Sequence, residues 1–280
     1  MIALITDSTS DLSPEQLQRS NAVSVPLYVL LDGQNLKDGV EISSKQIFEA
    51  VEKGVKVPST SQPSPVEFAE VYKRALEGGA SEVLSIHISG KTSGTVGSAR
   101  LAAQDFEGKV TVVDSESITA GLAMQVLRAG ELIKQGHTMS EVVSTLESVR
   151  RRMDFRFGVD TLDYLKKNGR IGGAQAMIGG LLGIKPILKI ADGRIDAAGR
   201  ARGNGKMMEA MVDFVKAYLQ THGSARVMYG ATPGGESKLS ELRSKLLGLP
   251  LEDLGSVTVG AVVAVHAGPG AMELALEPVV

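Results

Sequence analysis

Apolar and polar positions along the chain fall into two alternating kinds of run. Short, nearly unbroken apolar stretches, "IALIT" (2–6), "EVLSIHI" (82–88) and "KVTVVDS" (109–115), read as buried strands. Between them lie helical patterns. Phe68, Val71, Tyr72 and Ala75 recur at i, i+3, i+4 and i+7, which predicts an amphipathic helix over 65–77. Leu122, Val126, Ala129 and Ile133 mark the apolar face of another. Ser13, Pro14 and Gln16 make a helix start, with Ser at the N-cap, Pro at N1 and Gln at N3. "AVSVPLYVLL" (22–31) reads as one strand with an edge or bulge at Pro26, 43–54 as a helix closed by Gly54, and 94–104 as a helix. "VPSTSQPSP" (57–65) is a polar loop with three prolines. Strands alternating with helices predict a parallel sheet with right-handed crossovers.

After about residue 153 the pattern changes. "RFGVDT" (156–161) reads as a strand, and "IGGAQAMIGGLLG" (171–183) is small and apolar all round. "IKPILKIADGRIDAAGRAR" reads as two strands joined by an Asp192-Gly193 hairpin turn. Met211, Phe214, Val215 and Tyr218 define a helix face; 225–232 reads as a strand and 235–247 as a helix. "SVTVGAVVAVHAGPG" (256–270) reads as one or two strands before a glycine turn. The expected fold class is α/β: an N-terminal parallel-sheet α/β domain over 1–155, plus a C-terminal α+β domain with a mixed or antiparallel sheet over 156–280.

Composition removes several functions. Thirty basic residues face thirty-two acidic ones, so there is no electrostatic footprint for nucleic acid or an anionic membrane. Aromatic residues are 4% and Trp is absent, which argues against base stacking. With no Cys, thiolate metal sites and disulfides are excluded, and the four His show no ligand spacing. "MIALITDSTS" lacks a basic leader, and no apolar run reaches the ~20 residues of a membrane helix, so a cytoplasmic protein is expected.

Three strands of the first half stop at small polar groups: Asp7-Ser8, Ser89-Gly90 and Asp114-Ser115. In an open parallel sheet, ligands bind outside the carboxyl ends of the strands. The hydroxyl loops 8–10, 59–64 and 89–95 are therefore expected to converge, although turns and N-caps favour the same residue types. In "HISGKTSGTVGSA" (87–99), Gly90-Lys91-Thr92 fits only the end of a phosphate loop, because position 85 is Ser. Ser93 lies between Lys91 and Thr95 and so fails the nucleophile-elbow pattern, yet a Ser93–His266–Asp114 relay stays open as a serine hydrolase acting on acyl esters. A third reading is anion recognition: Ser93 at a helix N-terminus offers a hydroxyl beside free backbone N–H groups, and Gly94 permits close approach.

"ITDSTSDL" (5–12), "TSQPSP" (60–65), "ISGKTSGTVGSA" (88–99), "VVDS" (112–115), "KNGRI" (167–171), "LLGIKPIL" (181–188) and "HAGPGA" (266–271) occur in order over nearly the whole chain. Together they resemble the DegV family, the fatty-acid-binding (FakB-type) subunits of bacterial fatty acid kinase. The resemblance implies a non-catalytic protein with no cofactor of its own. It buries one long-chain fatty acid between two domains and presents the carboxylate to a separate ATP-dependent kinase subunit. Carried over by motif, Thr60, Ser93 with Gly94, and His266 would hold the carboxyl group, with Ser8, Ser61, Thr92 and Ser115 as further contacts of the headgroup loops. Lys91-Thr92 stand where the family often has smaller or apolar residues. Arg170, Arg194, Arg200 and Arg202 near turns of the second half would offer a docking patch for an acidic partner, with Arg170, Arg200 and Arg202 the candidates for kinase docking. Two hydroxyls, backbone N–H groups and an imidazole can satisfy a buried carboxylate. At about 0.8 kcal/mol per CH₂, a sixteen-carbon tail supplies on the order of 10 kcal/mol before ordering costs. "IGGAQAMIGGLLGI" and the helix over 119–133 are the expected walls of its tunnel.

Overall fold

The computed structural model describes residues 1–179 and 183–279. Strand β1 (Ile2–Asp7) leads into α1 (Pro14–Ser20), whose Ser13 and Gln16 form the reciprocal capping box expected of that sequence. The stretch 22–31 is two strands, not one. β2 (Ala22–Val25) joins β1 in parallel, whereas β3 (Tyr28–Leu31), beyond Pro26, enters another sheet. There it pairs antiparallel with β4 (Gln34–Lys37) and, after α2 (Ser44–Glu52), with the short β5 (Ser59–Ser61). The polar, proline-flanked loop therefore carries an edge strand.

The chain continues through α3 (Pro65–Glu77), β6 (Glu82–His87), α4 (Thr95–Ala103), β7 (Val110–Asp114) and α5 (Thr119–Lys134). β2-β1-β6-β7 form a four-stranded, all-parallel sheet. Asp7 pairs with Val25 and His87 with Asp114, so the carboxyl ends do share one edge.

The second half begins with α6 (Met139–Arg150), β8 (Asp154–Gly158) and α7 (Asp163–Lys167). A 3-10 turn (Gly172–Met177) precedes β9 (Ile184–Ala191) and β10 (Arg194–Arg202). These two strands meet at Asp192-Gly193, both at positive φ as a two-residue hairpin requires. Then follow α8 (Gly203–His222), β11 (Ala225–Ala231), α9 (Glu236–Leu246), β12 (Leu251–Thr258), α10 (Ala261–Ala267) and β13 (Met272–Pro278). The six-stranded sheet runs β10-β9-β8-β13-β11-β12 and is antiparallel except for β11 and β12. The fold is thus mixed α/β, with a parallel and a mixed sheet. The region 256–270 corrects the strand expectation: only its start is strand, and residues 261–267 are helix.

Helix α5 is the axis of the core. Every residue from Thr119 to Gly130 is buried, and the helix packs on β1 and β6 on one side and on β11 and β13 on the other. Gly130 is what lets it approach α1, since a Cβ there would lie 2.6 Å from the Ser20 carbonyl oxygen. Arg226 on β11 reaches Glu131 of α5 and Glu277 of β13, and Arg128 adds a second pair to Glu277. Although α10 comes late in the chain, it packs on the small sheet of the first half, where Val262 and Val265 join Leu27, Val29 and Phe48 in one cluster.

Candidate functional site

The site grows from the carboxyl edge of the parallel sheet. Asp7, at the end of β1, accepts hydrogen bonds from the Thr9 and Ile88 N–H groups, each 3.0 Å, and pairs with His87 Nδ1 at 3.0 Å. His87 Nε2 in turn meets Ser85 Oγ at 2.6 Å, and Ser85 meets Tyr72 at 2.9 Å. All four side chains are fully buried. This chain clamps the ends of β1 and β6 together, and the loop 88–94 leaves from that anchor.

Ser89 shapes the loop. Its carbonyl accepts the Thr92 and Ser93 N–H groups at 3.0 and 3.1 Å and the Thr92 hydroxyl at 3.0 Å. Its hydroxyl donates to the Gly193 carbonyl at 2.7 Å, tying the loop to the β9–β10 hairpin. Asp114 receives the Gly90 N–H and, at 2.9 Å, the Glu116 N–H. Ser93 is half-buried, with its hydroxyl 2.9 Å from that of Thr95 at the start of α4.

Thr60 is delivered by β5, paired opposite Val29. His266 is delivered by the last turn of α10. Their side chains meet: Thr60 Oγ1 lies 2.9 Å from His266 Nε2. Burial, followed by the nearby Arg170 cation, pushes the imidazole down to about 4, so it is neutral at ordinary pH. Its Nδ1 is buried and has no partner among the described residues.

Thr60, Ser61, Thr92, Ser93 and His266 all line one cavity of about 60 Å³. Arg170 and Gln62 stand in the same wall, and Leu27, Ile88, Ile118, Ile195, Val262 and Val263 form its apolar part. A second cavity of about 30 Å³ shares Ile118, Ile195, Val263 and His266 with the first and continues to Phe157, Leu165, Met272, Thr232 and Glu273. Hydroxyls, a neutral imidazole and a guanidinium at one end of an apolar passage suit an anionic headgroup with an oily tail.

Other expected contacts lie elsewhere. Ser8 is occupied by Asp38 at 2.8 Å and the Leu27 N–H at 3.0 Å, and Ser115 closes a turn through the Ser117 carbonyl and N–H; neither lines the cavity. Gly94 is exposed and backs Gln62, where a Cβ would come within 2.9 Å of the amide nitrogen. Gly268 makes room for the Tyr164 ring rather than for the cavity. The Ser93–His266–Asp114 relay is not assembled, since each member is bonded to a different partner. Arg170 reaches the Thr92 carbonyl at 3.5 Å and belongs to the mouth of the cavity. Arg200 instead holds the Ala176 carbonyl at 2.9 Å, while Arg194 and Arg202 are exposed at the two ends of β10.

The segments expected to wall a tunnel do not line these two cavities. Ile171, Ala174 and Met177 are in the main core, and residues 171–179 line neither cavity; 180–182 lie outside the described residues. Gly172 lets the 3-10 turn press on β10, where a Cβ would sit 2.2 Å from the Ile195 carbonyl oxygen. From α5 the passage receives only the preceding residue, Ile118.

A family model described as "Uncharacterised protein, DegV family" matches residues 1–279. The chain belongs to the DegV family. A DegV domain-containing protein of Deinococcus radiodurans is 55% identical over 277 residues, covering 99% of this chain and 98% of that one. Among solved structures, a DegV family protein from Thermus thermophilus, described by its fatty acid binding, superposes with a TM-score of 0.95 at 46% identity, over 99% of both chains. A stearic-acid-binding protein from Eubacterium ventriosum gives 0.88 at 29% identity, over 99% of this chain and 98% of that one. This DegV protein shares its complete fold with both.

Proposed function

We propose that this protein binds a long-chain fatty acid and holds its carboxylate at Thr60, Ser93 and His266 for phosphorylation by a separate ATP-dependent kinase subunit. The observation that carries the reading is the single cavity on which these three residues meet, with an apolar passage leading away from it. The fatty-acid-binding relatives from Thermus thermophilus and Eubacterium ventriosum support the class of ligand. Arg170 would add a charge to the headgroup site. In this reading residues 1–155 supply the headgroup loops and 156–280 cover the tail, with α10 crossing over to bring His266. Both cavities are slender, so an incoming tail parts the side chains around Ile118 and Ile195. The protein performs no chemistry itself: it desolvates the tail and leaves the carboxylate at the mouth.

The test is acyl-phosphate production with a purified fatty acid kinase subunit. Ser93→Ala lowers the yield when this protein is limiting. An unchanged yield contradicts the assigned role.

A further inference from the structure

Glu273 is an unusual residue to find in an apolar passage. It is 5% exposed, sits on β13 and lines the inner cavity among Ile118, Phe157, Leu165 and Met272. Its Oε1 accepts the Ala120 N–H at 3.1 Å, at the start of α5. Gly230 on β11 makes space for it, since a Cβ there would lie 2.5 Å from Oε1. Phe157 on β8 flanks it on the opposite strand. The polar groups around it are the Thr119 hydroxyl and the Thr232 side chain. The titratable groups facing it are Asp11, beyond the end of β1, with Asp38 and Asp7 behind, and neutral His266 across the cavity on α10. Among the described residues no cation pairs with it. Burial alone raises its carboxyl from 4.5 to about 7.

We propose that Glu273 is a selectivity residue of the tail chamber: an apolar chain long enough to reach it binds with the carboxyl protonated, so long chains are favoured at lower pH. This rests on the fatty acid reading above. A tail lying against Glu273 removes whatever water its carboxyl touches, which disfavours the charged form further. Ligand and proton then bind together, and affinity for long chains falls as pH rises through neutrality. A chain that stops short of the inner cavity lacks this dependence. The Ala120 N–H holds the carboxyl in place without a counter-charge, while the Thr232 hydroxyl is taken up by the Gly268 carbonyl and the Ala271 N–H.

Equilibrium dialysis of delipidated protein with radiolabelled dodecanoic and hexadecanoic acids, at ligand concentrations below micelle formation, tests this from pH 6 to 8.5. For the natural protein, hexadecanoic acid binding weakens roughly tenfold or more across the range, beyond any change for dodecanoic acid. Glu273→Gln removes the excess and keeps the tighter, low-pH affinity throughout. An equal pH dependence in Glu273→Gln overturns the proposal, and its loss in Asp11→Asn alone would assign the proton to Asp11 instead. No binding of either acid to either protein overturns the fatty acid reading, and this proposal with it.

Discussion

Thr60 Oγ1 and His266 Nε2 lie 2.9 Å apart although 206 positions separate them in the chain. The contact exists because two elements of opposite origin converge: an edge strand of the first half and a helix that returns from the second. It fixes one imidazole nitrogen, while the other, Nδ1, has no partner among the described residues. Thr60→Val removes the hydroxyl with little change of shape. We expect fatty acid affinity to fall by several-fold, about 1 kcal/mol, with the melting temperature nearly unchanged. Calorimetric titration with hexadecanoic acid reads both the loss and its size.

The Asp7 carboxylate is structural. Asp7→Ala strands two backbone N–H groups and the His87 ring in a fully buried place. Urea denaturation should show a loss of about 3 kcal/mol or more. A loss below about 1 kcal/mol would mean the clamp between β1 and β6 matters little.

Gly130 tests the packing of α5. A methyl group there meets the Ser20 backbone at 2.6–2.9 Å, which a flexible side chain cannot relieve. Gly130→Ala therefore costs about 1–3 kcal/mol, despite the better helix propensity of Ala. Thermal unfolding of the variant beside the natural protein measures it.

Stability should depend on pH through Glu273. The folded protein keeps this proton up to about pH 7, whereas an unfolded chain loses it near 4.5. Between those values the folded state binds more protons, so stability falls as pH rises and levels off above about 7. Glu273→Gln should stabilise the protein at pH 8 by on the order of 3 kcal/mol, a gain that fades towards pH 4.5. Urea midpoints of both proteins at pH 5 and pH 8 check the sign.

Much of this was legible in the sequence where local signals and tertiary packing agree. The Ser13 capping box, the Asp192-Gly193 hairpin and the polar ends of β1, β6 and β7 needed no partner to be recognised. Residues 261–267 misled because Val262, Val263 and Val265 favour strand, while Gly260, Ala261 and Ala264 let a helix settle on the small sheet. Strand β13 went unread because it is buried on both faces and so lacks alternation. Helix α6 carries a plain Thr138–Glu141 capping box, a local signal that marks its start. Thr60, Ser93 and His266, which the motifs single out, line one cavity. No motif marks the apolar walls, since Ile118, Ile195 and Val263 are distant in sequence and only packing brings them together. Arg170 was visible as a surface charge, not as part of the cavity mouth.

The most direct measurement is native mass spectrometry of the purified protein, followed by organic extraction of what it carries. The account predicts a mass excess matching one fatty acid per chain, recovered in the extract and reduced in Ser93→Ala. A natural protein that shows its bare mass, and gains none after incubation with long-chain fatty acids, contradicts it.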